Sequence, residues 1–232
     1  MTIEEEVTAM KYQLIIFDLD GTLMDSIGGI SKSVNMMLEK HGYPTFPVEG
    51  YFEFVGNGLL NTVKGTLKES SLTEEELKIL YHEMLTYYQQ HYDFNLKPYE
   101  GAKELLSELE GQVYMAINSN KNDDMVQQIV KDHLHEFSFE SVWGVKEGQP
   151  FKPNPWAIDQ LMDRFNLTPA DVLFVGDSEV DIMTAENAEV DSCFVTWGFR
   201  KREHVADYTP KYIVDDFNGL SEVIKGVKSD EK

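Results

Sequence analysis

Two carboxylates stand directly after a short apolar run near the start of the chain. Residues 17–26 read FDLDGTLMDS, so Asp18 and Asp20 end the run and Gly21 and Thr22 follow. An isolated Asp-Gly pair is most often a turn signal. A turn needs neither a second acid nor this hydroxyl, whereas the end of a buried strand is where open parallel sheets bind ligands. The stretch therefore predicts a reactive strand end.

A second apolar run ends in acids in the same way. Residues 172–181 read VLFVGDSEVD, in which Gly176 allows a close backbone approach and Asp177 and Asp181 follow. If the two strands are neighbours, up to four carboxylates converge, which is costly unless a cation compensates their charge. Mg²⁺ suits such an all-oxygen cluster, because it is a hard ion bound by few carboxylates plus a phosphate. For Asp181 alone, a helix-capping or solvent-facing role stays open.

Two further stretches supply groups that hold an oxyanion. Residues 113–117 form an apolar run that leads into Ser119 and Asn120, which offer a hydroxyl and helix N-terminal N–H groups. Lys152 lies in FKPNPWA, between an aromatic residue and two prolines. A lone lysine before a proline is usually solvated, but an acid cluster with its metal needs a positive side chain to hold a dianionic phosphate.

Short apolar runs alternate with longer helical patterns along the chain. The runs at 13–17, 113–117, 172–175 and 192–196 predict strands. This alternation predicts an α/β fold with a doubly wound, Rossmann-like parallel sheet, in which helices cover both faces.

Residues 25–98 break the alternation, because they contain helical patterns and no convincing strand. Thr73-Glu74-Glu75-Glu76 is a capping box that opens a helix to about residue 93. We therefore predict a core domain of residues 1–24 and 99–232 and an inserted helical cap domain of residues 25–98.

The charge of the chain limits its partners. Twenty Lys and Arg against 41 Asp and Glu give a formal net charge of -21, so the surface should repel nucleic acid and anionic lipid. The single cysteine, Cys193, excludes a disulfide within the chain, and MTIEEEVTAM is acidic where a signal peptide is basic. We expect a cytoplasmic protein with no nucleic-acid or membrane partner, acting as a monomer or a homodimer.

The order of these motifs resembles the haloacid dehalogenase superfamily of phosphatases and phosphotransferases. Four motifs match in order: DLDGT at 18–22, Ser119-Asn120, Lys152 in KPNP, and GDSEVD at 176–181. The helical insertion after the first motif resembles the cap that follows motif one in part of the superfamily. GDSEVD and WGFR at 197–200 are most similar to its phosphoglycolate phosphatase branch.

The resemblance implies a role for each core residue. Asp18 would be the nucleophile that forms an aspartyl-phosphate, and Asp20 the acid and base that protonates the leaving alkoxide and then activates water. Mg²⁺ would be held by Asp18, the main-chain carbonyl of Asp20 and Asp177. The phosphoryl group would be bound by Ser119, the amide of Asn120 and Lys152. Asp181 would orient Lys152 or the waters of the metal, and Thr22 would fix the loop or make a hydrogen bond to one of the site residues.

The cap should choose the substrate, since the core grips only the phosphoryl group. The best candidates are Gly56, Asn57 and Gly58, which could bend a loop over the site, although an ordinary turn before a helix fits them as well. Lys64 and Lys68 are weaker candidates for a substrate carboxylate, because exposed lysines are usually solvated.

The sequence thus predicts a Mg²⁺-dependent phosphatase of a small phosphorylated metabolite, with phosphoglycolate as the first compound to test. Alternatives within the same chemistry are a phosphotransferase such as a sugar phosphomutase, and a pyrophosphatase. A non-catalytic binding protein is the contrasting class. Nothing in the residues argues for it, because every expected catalytic side chain is present.

Overall fold

The computed structural model describes residues 10–56, 58–68 and 70–227. The strands are β1 (Leu14–Phe17), β2 (Met24–Asp25), β3 (Lys97–Pro98), β4 (Tyr114–Asn122), β5 (Ser141–Val145), β6 (Val172–Gly176), β7 (Asp191–Val195) and β8 (Tyr212–Val214). The α-helices are α1 (Ile27–Lys40), α2 (Leu59–Thr66), α3 (Glu74–His91), α4 (Ala102–Leu109), α5 (Asp123–His133), α6 (Trp156–Phe165), α7 (Glu179–Asn187) and α8 (Phe217–Ile224).

Six of the strands form one parallel sheet in the order β5-β4-β1-β6-β7-β8. Strand β1 lies between β4 and β6, and Phe17 at its end is level with Ile117 on one side and Val175 on the other. This register brings the residues that follow β1, β4 and β6 to the same edge of the sheet.

Helices cover both faces of the sheet because the strand residues alternate between two apolar clusters. Ile15 and Phe17 pack with residues of α4, α5 and α8, whereas Leu14 and Ile16 pack with residues of α6 and α7. All four side chains of β1 are fully buried, as expected for a central parallel strand. The predicted doubly wound parallel sheet is confirmed.

Helices α1, α2 and α3 lie between β2 and β3 and form a third apolar cluster that includes Val34, Tyr51, Leu80 and Met84. The predicted capping box opens α3, since Thr73 Oγ1 accepts from Glu76 N at 3.2 Å and Thr73 N donates to Glu76 Oε2 at 2.8 Å. No helix in the described ranges is long and apolar enough to cross a bilayer.

The chain enters and leaves these helices through an antiparallel pair of strands, β2 and β3. We call residues 25–98 the helical insertion. Its boundaries as a separate cap domain stay a prediction.

The prediction for the end of β4 was wrong. We expected a strand over 113–117 with a helix starting beside Ser119 and Asn120, but β4 continues to Asn122 and α5 begins at Asp123. The extension exists because β4 pairs with β5, with a shift in register between Asn118 and Asn122. Ser119 and Asn120 therefore lie on a strand and not at a helix N-terminus.

Candidate active site

The residues at the carboxyl ends of β1, β4 and β6 surround one cavity of about 50 Å³. The helical insertion closes the other side with Ile30, Val55, Gly56, Gly58, Leu59 and Thr62. The residues of the four predicted motifs that line the cavity are Asp18, Asp20, Ser119, Asn120, Lys152 and Asp177. The structure thus brings the four separate motifs to one place.

Three buried carboxylates form the acidic centre of this site. Asp18, Asp177 and Asp181 each present an oxygen, and these oxygens lie within 4.8 Å of one another. The main-chain N–H of Phe199 donates to Oδ2 of Asp177 at 2.6 Å, and the ammonium of Lys152 lies 2.8 Å from Oδ1 of Asp18. A set of hard oxygen donors fits Mg²⁺.

Glycines make room for these carboxylates. A Cβ on Gly21 would lie 2.3 Å from Oδ2 of Asp177, and a Cβ on Gly198 would lie 2.3 Å from Cβ of the same aspartate. Gly21 also has φ +83°, which turns the chain away from β1. A Cβ on Gly176 would come within 2.2 Å of Cγ of Asp181. Gly198 was missed by the sequence analysis, because nothing in its local sequence shows that it faces an acid.

Lys152 joins two of the carboxylates. Its Nζ lies 2.8 Å from Asp18 Oδ1 and 2.6 Å from Asp181 Oδ1. Its main-chain carbonyl accepts from Asn120 Nδ2 at 3.0 Å, and the Lys152–Pro153 peptide bond is cis. The lysine is 4% exposed, so it is not the solvated loop residue that its sequence context would normally indicate.

Asp181 caps a helix and also contacts Lys152, and because it is 2% exposed it does not face solvent. Its Oδ2 accepts from Ser178 N at 3.1 Å and from Ser178 Oγ at 2.6 Å, which caps α7. Its Oδ1 faces Lys152. The helix cap therefore fixes the carboxylate that holds the lysine in place.

The crowding of buried acids changes their proton affinity. Burial raises the pKa of Asp18 to about 7, with Lys152 opposing the rise and Asp181 and Asp20 adding to it. Burial also raises the pKa of Asp177 well above its ordinary value, with Asp18 and Asp181 adding to the rise. Burial alone would lower the pKa of Lys152, but Asp18 and Asp181 outweigh it, so the net shift is upward and the lysine stays charged. An added cation would relieve the remaining excess of negative charge.

The side chain of Asp20 has a separate partner, Lys121, that the sequence analysis missed. The Nζ of Lys121 lies 2.7 Å from both carboxylate oxygens of Asp20 and 5.0 Å from the centre of the Tyr88 ring. Burial would lower the pKa of Lys121, but Asp20 and Tyr88 raise it above its ordinary value. No signal in the sequence pointed to Lys121, because the strand was expected to end at residue 117 and its partner Asp20 lies 101 residues earlier.

Thr22 is buried beside the site, and its contact there is made by its backbone. Its hydroxyl has no hydrogen-bond partner among the described residues. Its main-chain carbonyl instead accepts from Nε1 of Trp197 at 3.0 Å. Thr22 thus fixes the loop through its backbone.

The candidates in the helical insertion are only partly placed. Gly56 and Gly58 line the cavity, whereas Asn57 lies outside the described residues. Lys64 and Lys68 are exposed and are not among the residues that line the cavity.

Arg200 follows β7 and holds the insertion to the sheet domain. Its Nη1 donates to the carbonyl of Phe52 at 3.1 Å, its Nε lies 3.3 Å from Glu179 Oε2, and a Cβ on Gly56 would lie 3.1 Å from that Nε. The side chain is 9% exposed, so Arg200 is structural and not solvated.

Comparisons with known proteins agree with this geometry. The model of the family described as haloacid dehalogenase-like hydrolase matches residues 15–195. A phosphoglycolate phosphatase of Aliivibrio fischeri is 31% identical over 218 residues, covering 91% of this chain and 96% of that protein. One of Mannheimia succiniciproducens is 32% identical over 221 residues, covering 92% and 99%.

A solved structure extends the agreement to three dimensions. The crystal structure of a predicted phosphoglycolate phosphatase from Haemophilus somnus superposes with a TM-score of 0.82 at 29% identity, covering 94% of this chain and 99% of that one. The matched residues 15–195 include every one of the acids and lysines described above. The chain therefore belongs to the haloacid dehalogenase-like hydrolase family.

Proposed function

We propose that this protein is a Mg²⁺-dependent phosphatase that hydrolyses a small phosphorylated metabolite through an aspartyl-phosphate on Asp18. The observation that carries the proposal is the placement of Asp18 between Lys152 and Asp177, in a cavity that Asp20 also lines. The relatives named phosphoglycolate phosphatase make 2-phosphoglycolate the first substrate to test.

The first half of the reaction uses both acids of the first motif. A carboxylate oxygen of Asp18 attacks phosphorus, and the bond between phosphorus and the ester oxygen breaks. Asp20 gives its proton to the leaving alkoxide, which departs as an alcohol. Lys152, the hydroxyl of Ser119 and the amide of Asn120 hold the phosphoryl oxygens while their charge redistributes.

The second half returns the enzyme to its starting state. Asp20, now ionised, takes a proton from water, and the oxygen of that water attacks phosphorus. The acyl phosphate bond breaks, inorganic phosphate leaves and the carboxylate of Asp18 is restored. One carboxylate thus serves as acid and then as base, while the other is the nucleophile in the first half and the leaving group in the second.

Magnesium has a fitting set of ligands here. Asp18, Asp177 and the main-chain carbonyl of Asp20 would hold the ion, and Asp181 would lie beside it. When bound, Mg²⁺ supplies positive charge that lets an anionic nucleophile approach a dianionic phosphate. Because the buried cluster raises the pKa of Asp18 and Asp177, the protein has a reason of its own to bind a cation.

The size of the cavity favours a small substrate. The enclosed part, about 50 Å³, holds a few water molecules and is partly open to solvent, so a phosphoryl group and a short carbon chain suit the part beneath the helical insertion. We propose that residues 25–98 act as a cap that selects the leaving group, and that the protein works in the cytoplasm, where its buried Cys193 stays reduced.

A phosphate-release assay over a panel of phosphorylated metabolites tests the proposal. The panel includes 2-phosphoglycolate, a sugar phosphate and pyrophosphate, each with Mg²⁺ and with EDTA. We expect release that stops in EDTA, returns with excess Mg²⁺ and disappears in Asp18→Asn. Release by Asp18→Asn would remove Asp18 from the nucleophile role, and full release in EDTA would reject the metal. Phosphate transferred to a second sugar hydroxyl without release would indicate a mutase.

A further inference from the structure

The cavity holds two lysines, and the proposed chemistry uses only one of them. Of the described residues that line it, Lys121 and Lys152 are the two with positive side chains. Lys152 is held by Asp18 and Asp181 on the side where the phosphoryl group would bind. Lys121 is 5% exposed, and burying an ammonium at a ligand cavity is costly unless its charge has a use.

The position of Lys121 is defined by its contact with Asp20. Its Nζ is 2.7 Å from each carboxylate oxygen of Asp20. In the proposed reaction Asp20 faces the ester oxygen that leaves with the alcohol. A substituent one or two bonds from that oxygen therefore lies within reach of Lys121, whereas the phosphoryl oxygens lie on the side of Lys152.

The surroundings of Lys121 leave hydrogen-bond donors for a ligand. An ammonium has three N–H donors, and the two oxygens of Asp20 accept hydrogen bonds from Lys121, which leaves an N–H on the side of the Tyr88 hydroxyl. Tyr88 packs beside it, with its ring centre 5.0 Å from Nζ, and the buried hydroxyl of Tyr88 has no hydrogen-bond partner among the described residues. A buried unpaired hydroxyl costs about 1–3 kcal/mol, which an oxygen of a ligand would recover.

The rest of the wall on this side gives no competing recognition of charge. The helical insertion contributes Ile30, Val55 and Leu59, together with Thr62 and the two glycines. Among the described side chains, a polar leaving group placed here therefore meets apolar groups except at Thr62 and Lys121. The charge of the nearest cation then decides which leaving groups are accepted.

We propose that Lys121 binds a carboxylate carried on the carbon next to the ester oxygen, and so selects two- or three-carbon phosphomonoesters of 2-hydroxy acids. This inference rests on the proposed phosphatase function and names the residue that recognises the leaving group. In this proposal Lys152 binds the phosphoryl group and Lys121 binds the carboxylate, so each anionic end of the substrate has its own lysine.

The test compares two substrates that differ only in this charge. The probes are 2-phosphoglycolate and its neutral amide, phosphoglycolamide, which have the same length and a similar shape. We expect wild-type protein with Mg²⁺ to prefer the carboxylate in kcat/KM by about 10- to 100-fold, the range for a hydrogen bond to a charged group. A wild-type preference below about twofold would overturn the proposal without any variant.

Two substitutions assign the preference to Lys121. Lys121→Met removes the charge and keeps the apolar stem, while Lys121→Gln keeps a polar end, so one variant still reports if the other does not fold. We expect both to reduce the preference to within about threefold of unity. Both also alter the environment of Asp20 and lower turnover of each substrate, so the ratio is the decisive quantity. An unchanged ratio would show that Lys121 only positions Asp20.

A matched control excludes a general effect of charge. Lys64 is an exposed lysine of α2 that does not line the cavity, and Lys64→Met removes the same charge. We expect it to keep the wild-type ratio, and an equal loss in Lys64→Met would overturn the assignment. If wild-type protein releases phosphate from neither probe nor from any other phosphomonoester, it is the proposed function that fails. If it hydrolyses both probes equally, only the inference about Lys121 fails.

Discussion

Replacing the proposed nucleophile should make the metal-free protein more stable while it abolishes turnover. Burial raises the pKa of Asp18 to about 7 from an ordinary value of 3.8, with Lys152 opposing and Asp181 adding to the rise. The folded protein thus binds this proton more tightly than the unfolded chain does. Stability therefore falls as the pH rises from about 4 to about 7, and above that range the full penalty of the ionised carboxylate is present.

The size of the effect follows from the pKa shift. A shift of about 3 units at 1.36 kcal/mol each gives at most about 4 kcal/mol. Asn imitates the protonated acid in shape, but its NH₂ group needs an acceptor, so we expect Asp18→Asn to gain about 2 kcal/mol at pH 8. For a chain of this length that gain corresponds to a rise in Tm of about 4–8 °C. At about pH 5.5 only half of the penalty has developed, and the gain should fall by about half.

Thermal unfolding in EDTA at the two pH values measures this difference. Asp207→Asn is the control, because it removes an exposed carboxylate and so corrects for the general benefit of lowering a net charge of -21. An Asp18→Asn protein that is no more stable than Asp207→Asn at pH 8 would refute the reasoning. So would a gain of the same size at both pH values.

Three further expected outcomes concern the metal, the proton donor and the glycine that packs against Asp177. Mg²⁺ at about 100 times its Kd should stabilise wild-type protein by about 2.7 kcal/mol, which is measured as a rise in Tm. Asp177→Asn should show no such rise, and an equal rise in both proteins would contradict the assignment of Asp177 as a metal ligand. Asp20→Asn should lower kcat on 2-phosphoglycolate by about 10²- to 10⁴-fold. It should lower kcat on p-nitrophenyl phosphate much less, because nitrophenolate leaves without a proton. Equal losses on the two substrates in the release assay would count against an acid role for Asp20. Gly198→Ala should lower the free energy of unfolding in urea by about 1–3 kcal/mol, because its Cβ would lie 2.3 Å from Asp177 Cβ. The control Gly50→Ala, whose Cβ would lie 3.6 Å from its nearest neighbour, should lower it by under about 1 kcal/mol. Similar losses in the two variants would show that the space beside Gly198 is not needed.

The sheet was predictable where its strands are buried on both faces. The apolar runs that became β1, β4, β6 and β7 stand out because both faces of each strand meet helices. The edge strands β5 and β8 were missed. Every residue of β5 is only half buried and β8 has three residues, so neither carries a run or an alternation that differs from a loop.

The site was predictable where chemistry is written in adjacent residues. Paired acids and a glycine after a strand identified Asp18 and Asp177, and charge balance then called for Lys152. Lys121 lacked such a signal, since its partner Asp20 lies 101 residues earlier and only the fold shows that the ammonium is buried. Contacts between residues far apart in the sequence, such as that of Lys121 with Asp20, could not be predicted from the sequence.

The paired strands β2 and β3 have a consequence for how this enzyme could be altered. Tyr99 N donates to Leu23 O at 3.0 Å, so the chain returns from the helical insertion to the point where it left. The chain therefore enters and leaves the insertion at adjacent points, and replacing the insertion with helices of another length need not move a strand of the sheet. The helical insertion and the cavity-lining residues of β1, β4 and β6 can thus be varied separately if the contacts between them are kept, such as the hydrogen bond from Arg200 Nη1 to the Phe52 carbonyl and the stacking of Phe52 on Phe199.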